Sequence, residues 1–233
     1  MTAHMEGTLF LLLISMSDTP AIELKSGIRD SSRLLRRDLS PAERGKHNDA
    51  INLVLLAGAS RLGVRSIAAF WPFDGEPDLR ASLNEFASNG VRIALPVIDE
   101  KHRENMSMHE WTPDSKMKKN RFGIEEPVET AQIDILELDL ILIPLVAWDS
   151  KGNRLGMGAG FYDRLLEPLS SQASPIRTGI AYADQEVEII PVEKHDIPLH
   201  GLINENGWTV FKQSVQAAAK FKSKRKKSQC VTG

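Results

Sequence analysis

One stretch of this 233-residue sequence is equipped to bind or transform a ligand: Asp149 to Arg164, reading DSKGNRLGMGAGFYDR. Gly156, Gly158 and Gly160 fall at alternate positions, so the loop can take φ > 0 and bring its backbone N–H groups close to a guest. An apolar run precedes it and a predicted helix follows, whose first turn offers unpaired N–H donors and a positive dipole end. Phosphate suits such a loop, and Arg154 can grip phosphate oxygens through two parallel hydrogen bonds. A tight strand-to-helix turn with no ligand uses the same glycines, and the loop by itself leaves that alternative open. Two nucleotide motifs are missing, because the spacing is GxGxG rather than GxGxxG and no Gly-Lys-Ser/Thr follows.

The elements around this loop alternate. Residues 22–38 predict a helix, weakened at Gly27 by about 1 kcal/mol relative to Ala. Ser40-Pro41-Ala42-Glu43 is a helix start, with Ser as N-cap, Pro first in the helix and Glu three beyond the cap, and that helix runs to about Ser60. Val64–Trp71 predicts a buried strand, Pro77–Ser88 a helix, and Val91–Val97 a second strand. Leu138–Trp148 is the most apolar run of the body and predicts a central strand interrupted at Pro144. A helix begins near Phe161, and Ile176–Ala183 is a further strand. The polar segment from Asp99 to Pro127 is expected as an inserted hairpin or an active-site flap. This order predicts an α/β fold, a single three-layer α/β/α domain with a mostly parallel sheet. Ligands of such sheets bind beyond the carboxyl ends of the strands, where the glycine loop belongs.

Composition narrows the function classes. The chain is 42% apolar and 26% charged, with a net charge of −2, which excludes collagen-like and wholly disordered classes. Its one cysteine, Cys230, excludes a disulfide framework and a cysteine zinc site and fits a reducing, cytoplasmic setting. Six of the 29 basic residues lie in Lys220–Lys227, leaving 23 against 31 acidic residues in 1–219 and a net charge of −8 there. An acidic body binds nucleic acid poorly, so no nucleic-acid partner is expected. The apolar run Thr8–Ile14 is too short for a membrane span of about 20 residues, and no membrane partner is expected either. Residues 1–20 are expected as a disordered extension, 21–215 as the domain and 216–233 as a disordered basic tail.

The run Gly152–Arg164 resembles the signature of the 5-formyltetrahydrofolate cyclo-ligase family, also called methenyltetrahydrofolate synthetases. Further matches follow in the family's order: Lys25-Ser26-Gly27-Ile28-Arg29, Phe73-Asp74-Gly75-Glu76, Leu95-Pro96-Val97, Phe122-Gly123-Ile124-Glu125-Glu126-Pro127, Gly179–Gln185 and His195-Asp196. The resemblance covers Lys25 to Asn206. It implies a sugar-isomerase/CoA-transferase-like fold, a monomer, and ATP with Mg²⁺ as co-substrate and metal. It also implies a reaction in which 5-formyltetrahydrofolate becomes 5,10-methenyltetrahydrofolate with release of ADP and phosphate. The alternative is a non-catalytic nucleotide or phosphosugar sensor on a similar fold.

The same resemblance assigns roles. Lys25 and Arg29 reach the ATP phosphates, together with Arg154, Leu155, Gly156, Met157, Gly158, Ala159, Gly160, Phe161 and Tyr162. Arg154 and Tyr162 are the catalytic candidates. Met157 through Phe161 also line the folate site with Trp71, Glu76 and Trp111. Glu76 is expected to accept hydrogen bonds from the pterin, with a plain turn carboxylate as the alternative, and Trp111 either stacks on a substrate ring or belongs to the core. Asp163 and Asp196 are the Mg²⁺ candidates, since that ion is usually held by one or two carboxylates plus phosphates and water. Three positions depart from the family pattern: Trp71, where a smaller apolar residue is common, His200 and Asn204.

Overall fold

Ser40 starts a helix as its residue type dictates. Its Oγ accepts the Glu43 N–H at 3.3 Å, Glu43 Oε2 accepts the Ser40 N–H at 3.0 Å, and Pro41 fills the first helical position. That helix, α2 (Pro41–Leu62), ends at Gly63 in the left-handed conformation, φ 65°. The helix ahead of it, α1 (Ala3–Asp38), extends well N-terminal of the predicted start at residue 22. The computed structural model describes residues 3–102, 104–169, 174–193 and 196–211, with side chains from residue 21 onward. The basic tail, Cys230 and His195 lie outside the described residues.

The strands in chain order are β1 (Ser66–Ala68), β2 (Arg92–Ile98), β3 (Met106–Trp111), β4 (Met117–Lys119), β5 (Glu125–Pro127), β6 (Gln132–Ile133), β7 (Leu140–Pro144), β8 (Ala147–Trp148), β9 (Arg154–Leu155), β10 (Ile176–Ile180), β11 (Gly201–Asn204) and β12 (Gly207–Val210). Eight of them form one sheet in the order β12-β11-β10-β7-β1-β2-β3-β6. The five inner strands from β11 to β2 run parallel; β12 at one edge pairs antiparallel with β11, and at the other β3 pairs antiparallel with both β2 and β6. Ile67 pairs with Ile93 on one side and Leu140 on the other, which fixes β1 between β2 and β7. The sheet is mostly parallel, as the alternation of elements predicts.

Side-chain alternation sorts the core into two faces. In β7, Leu140 and Leu142 join Ile51, Leu55 and Leu83 under α2 and α3 (Arg80–Ser88). Ile141 and Ile143 point the other way, toward Leu166 of α4 (Phe161–Leu166) and Leu169. All four β7 residues are fully buried, which is why the sequence there reads as an unbroken apolar run. The predicted strand 138–148 is two strands: β7 stays in the sheet, whereas β8 leaves it after Pro144 and pairs with β9. The predicted helix over 77–88 begins only at Arg80. The hairpin expected within 99–127 is present, with β3 lying antiparallel to β2 and β4 antiparallel to β5.

Helix α1 is amphipathic in an inverted sense. Lys25, Ser32 and Arg36 are buried, whereas Ile22, Leu24, Leu34 and Leu35 are at least half exposed. These buried positions follow the i, i+7, i+11 spacing of one helical face, and Arg29 at i+4 on the same face is half-buried. That face looks onto the carboxyl ends of the parallel strands.

Candidate active site

The turn after β1 carries Asp74 and Glu76. Asp74 sits at φ 51°, in the left-handed region, and its side chain is 8% exposed. Three arginines of α1 hold its carboxylate: Arg33 Nε at 2.9 Å, Arg36 Nη2 at 3.0 Å and Arg37 Nε at 2.7 Å. Burial opposes ionisation there, but these guanidinium groups win and hold the carboxyl below its usual value. Glu76 differs. Its carboxylate accepts the Phe73 N–H at 3.1 Å and stands 3.9 Å from Arg36 Nη1. Burial outweighs the Arg36 charge and pushes Glu76 up to about 7.

The glycine loop is anchored by a buried acid. Buried Asp149 accepts N–H bonds from Lys151, Asn153 and Ile190 at 3.0, 3.0 and 3.2 Å, which folds the loop back on its base. Gly158 at φ 99° and Gly160 at φ 68° then take backbone conformations that favour glycine. Leu155 is buried, and Met157 projects outward at 43% exposure. Phe161 opens α4 with an edge-on contact to Phe122 and the Arg164 guanidinium over its face.

Arg154 and Tyr162 converge beneath this loop. Arg154 donates to Ile197 O and to Asp163 Oδ1, and its side chain is 5% exposed. Burial lowers its hold on the proton, and the charges of Asp163 and Asp196 oppose that loss. The buried Tyr162 hydroxyl finds no hydrogen-bond partner among the described residues. Burial, with the Glu76 charge adding to it, raises Tyr162 above the ordinary phenol range, so the group stays a hydroxyl donor.

Lys25 and Arg29 reach the same place from α1. Lys25 Nζ lies 2.6 Å from Glu193 Oε1 and 3.5 Å from Asp196 Oδ2, and Arg29 Nε donates to Gly156 O at 2.9 Å. Asp196 also accepts the Glu193 N–H at 2.8 Å. The structure therefore gathers Lys25, Arg29, the 154–163 segment and Asp196 at one end, with Glu76 beside Tyr162. Trp111 does not join them. The residue is 5% exposed within the core under α2, its ring packed against that of Trp71 at 6.0 Å. Sequence reading missed Glu193 and the Arg33–Arg36–Arg37 cluster. The cluster had a signal, since three basic residues at i, i+3 and i+4 faced an acid in an assigned turn.

Fold and site together define an α/β protein whose basic helix and glycine loop converge on the strand ends, an arrangement whose cations and loop N–H groups suit an anionic ligand. The model of the 5-formyltetrahydrofolate cyclo-ligase family matches residues 21–205. A Haemophilus influenzae 5-formyltetrahydrofolate cyclo-ligase is 35% identical over 178 residues, 76% of this chain and 95% of the relative. The Escherichia coli K12 protein of that name is 33% identical over 174 residues, 73% of this chain and 94% of its own. The solved structure of the Aquifex aeolicus 5,10-methenyltetrahydrofolate synthetase superposes with a TM-score of 0.70 at 29% identity, covering 81% of this chain and 93% of that one. The chain belongs to the 5-formyltetrahydrofolate cyclo-ligase family.

Proposed function

We propose that this protein converts 5-formyltetrahydrofolate to 5,10-methenyltetrahydrofolate at the expense of ATP, within a catalytic unit spanning residues 21–215. A formamide is a poor electrophile, and its oxygen is a poor leaving group. Transfer of the γ-phosphoryl group to the formyl oxygen breaks the bond to the β-phosphate and releases ADP. N10 then attacks the activated carbon and loses its proton, the ring closes, and phosphate departs with the former formyl oxygen. Such chemistry asks for positioning and charge stabilisation rather than a protein nucleophile.

Each residue has a matching task in this reading. Lys25 and Arg29 neutralise phosphate charge, and the N–H groups of 156–161 cradle it. Arg154 steadies the transferring group, and Tyr162 donates its free hydroxyl to the reacting oxygen. Glu76 accepts N–H bonds from the pterin, with Trp71 alongside and Met157 to Phe161 over the ring. Asp163 and Asp196 would hold Mg²⁺: both flank Arg154, and their side chains are one-third and one-quarter exposed, which leaves oxygens free for an ion. Mg²⁺ bound there supplies neutralisation of the phosphoryl oxygens.

The observation that carries the reading is the family match over 21–205, which contains nearly every residue of this pocket. The protein is read as a monomer in the cytoplasm, with a reduced folate as partner and neither nucleic acid nor membrane. No helix among the described residues is long and apolar enough to cross a membrane. Measuring ADP release with and without 5-formyltetrahydrofolate tests the function. Release that depends on the folate supports it, and equal release in both overturns it.

A further inference from the structure

Arg36 is the most deeply buried cation of the described residues, with a side chain wholly shielded from solvent. Its guanidinium has five N–H donors, and five partners surround them. Nε donates to Asp74 O at 2.8 Å, and Nη2 to Asp74 Oδ2 at 3.0 Å and to Met157 Sδ at 4.0 Å. Nη1 donates to Leu145 O at 3.4 Å and faces Glu76 Oε1 at 3.9 Å. These partners come from three pieces of chain: the turn after β1, the exit of β7 and the glycine loop. A planar fork fixes directions as well as charge, so it can hold all three in one register.

We infer that Arg36 is a positioning residue that sets both the charge of Glu76 and the seat of Met157 in the glycine loop. It thereby links the half of the pocket assigned to folate with the half assigned to ATP. Geometry supports this independently of titration, because one guanidinium lies within 4.0 Å of Glu76, Met157 and the β7 exit together. The charged and titratable groups facing Glu76 are Arg36 from α1, Tyr162 from α4 and Asp74 from its own turn. Arg36 favours the Glu76 carboxylate, and Asp74 disfavours it. The roles given to the two pocket halves rest on the function proposed above, but the link between Arg36 and Glu76 does not.

Opposite signs make the test sharp. The Glu76 carboxyl carbon is followed by NMR against pH without substrate, its signal assigned through Glu76→Gln. Arg36→Gln should move the Glu76 midpoint upward by about 1 in pH, and Asp74→Asn should move it downward. Arg36→Lys keeps the charge but loses the fork. It should leave the midpoint within about half that distance of wild type while raising KM for both ATP and 5-formyltetrahydrofolate by roughly tenfold. A role in stability alone predicts lower melting temperatures with unmoved midpoints. Midpoints that stay put, or move in the same direction, overturn the inference. If Arg36→Gln does not fold, the other two variants decide it: an Asp74→Asn midpoint that stays put or rises, or KM values unchanged in Arg36→Lys, overturns the inference. Wild-type protein without folate-dependent ADP release overturns the proposed function while leaving the NMR result to judge Arg36.

Discussion

Arg154 and Asp163, nine residues apart, meet in an ion pair with the arginine buried and the carboxylate one-third exposed. The carboxylate assigned to Mg²⁺ is thus already set against a cation. Asp163→Asn removes that charge at nearly constant volume, as Asp196→Asn does beside Lys25. Each change should raise the Mg²⁺ concentration giving half-maximal activity. On the proposed assignment both acids serve one ion, so the double variant should lose much less than the product of the single losses. Mg²⁺ titrations of the three variants check this, and unchanged half-saturation in both singles would sink the metal assignment.

Gly158 tests the phosphate loop. At φ 99° it lies where β-branched residues are strained, and a Cβ there would meet the Arg29 guanidinium carbon at 3.6 Å. Gly158→Val should weaken ATP binding more than tenfold by calorimetry without loss of the folded state. Unaltered ATP affinity would reduce the loop to a turn.

Glu76 should trade stability for binding. Its folded value of about 7 lies above the ordinary 4.5, so the folded protein holds the proton more tightly than the unfolded chain. Stability from this group is therefore present below pH 4.5 and is lost as pH rises through 7. With the side chain 9% exposed, the loss is on the order of 3 kcal/mol. Glu76→Gln should melt higher than wild type at pH 8, match it at pH 4.5, and bind folate far more weakly. Identical melting curves at pH 8 would contradict the burial argument.

Gly58 should behave against helix propensity. Replacing an exposed mid-helix glycine by alanine ordinarily stabilises by about 1 kcal/mol. Here a Cβ would stand 2.1 Å from the Trp208 ring, where β12 packs on α2. Gly58→Ala should therefore destabilise by roughly 1–3 kcal/mol. Chemical denaturation measures it, and a gain in stability would mean that Trp208 moves aside freely.

What the sequence disclosed, and what it hid, divides along the range of the interactions. The Ser40–Glu43 box lies within one turn and the β7 run within one strand, so local chemistry dictates both. The glycine loop was legible because φ > 0 confines the choice of residue. Lys25 and Glu193 are 168 positions apart, and nothing near either one announces the other. Strands β11 and β12 escaped notice because each has four residues and includes a glycine, too little for a periodic pattern. The burial of the basic face of α1 was hidden for a different reason. Periodicity locates a face, but only the polar pocket beneath it makes arginine the residue to bury.

That inverted face has a mechanical consequence. Lys25, Arg29 and Arg36 ride on one rod, and the eleven helical steps from first to last span about 16 Å. Each added or deleted residue turns the remainder by about 100°. A single insertion between Arg29 and Arg36 would leave Lys25 and Arg29 in phase with the glycine loop and swing Arg36 away from Asp74 and Glu76. Length variation within this helix should therefore be tolerated only in steps near a whole turn, whereas the loops of the same domain can drift residue by residue.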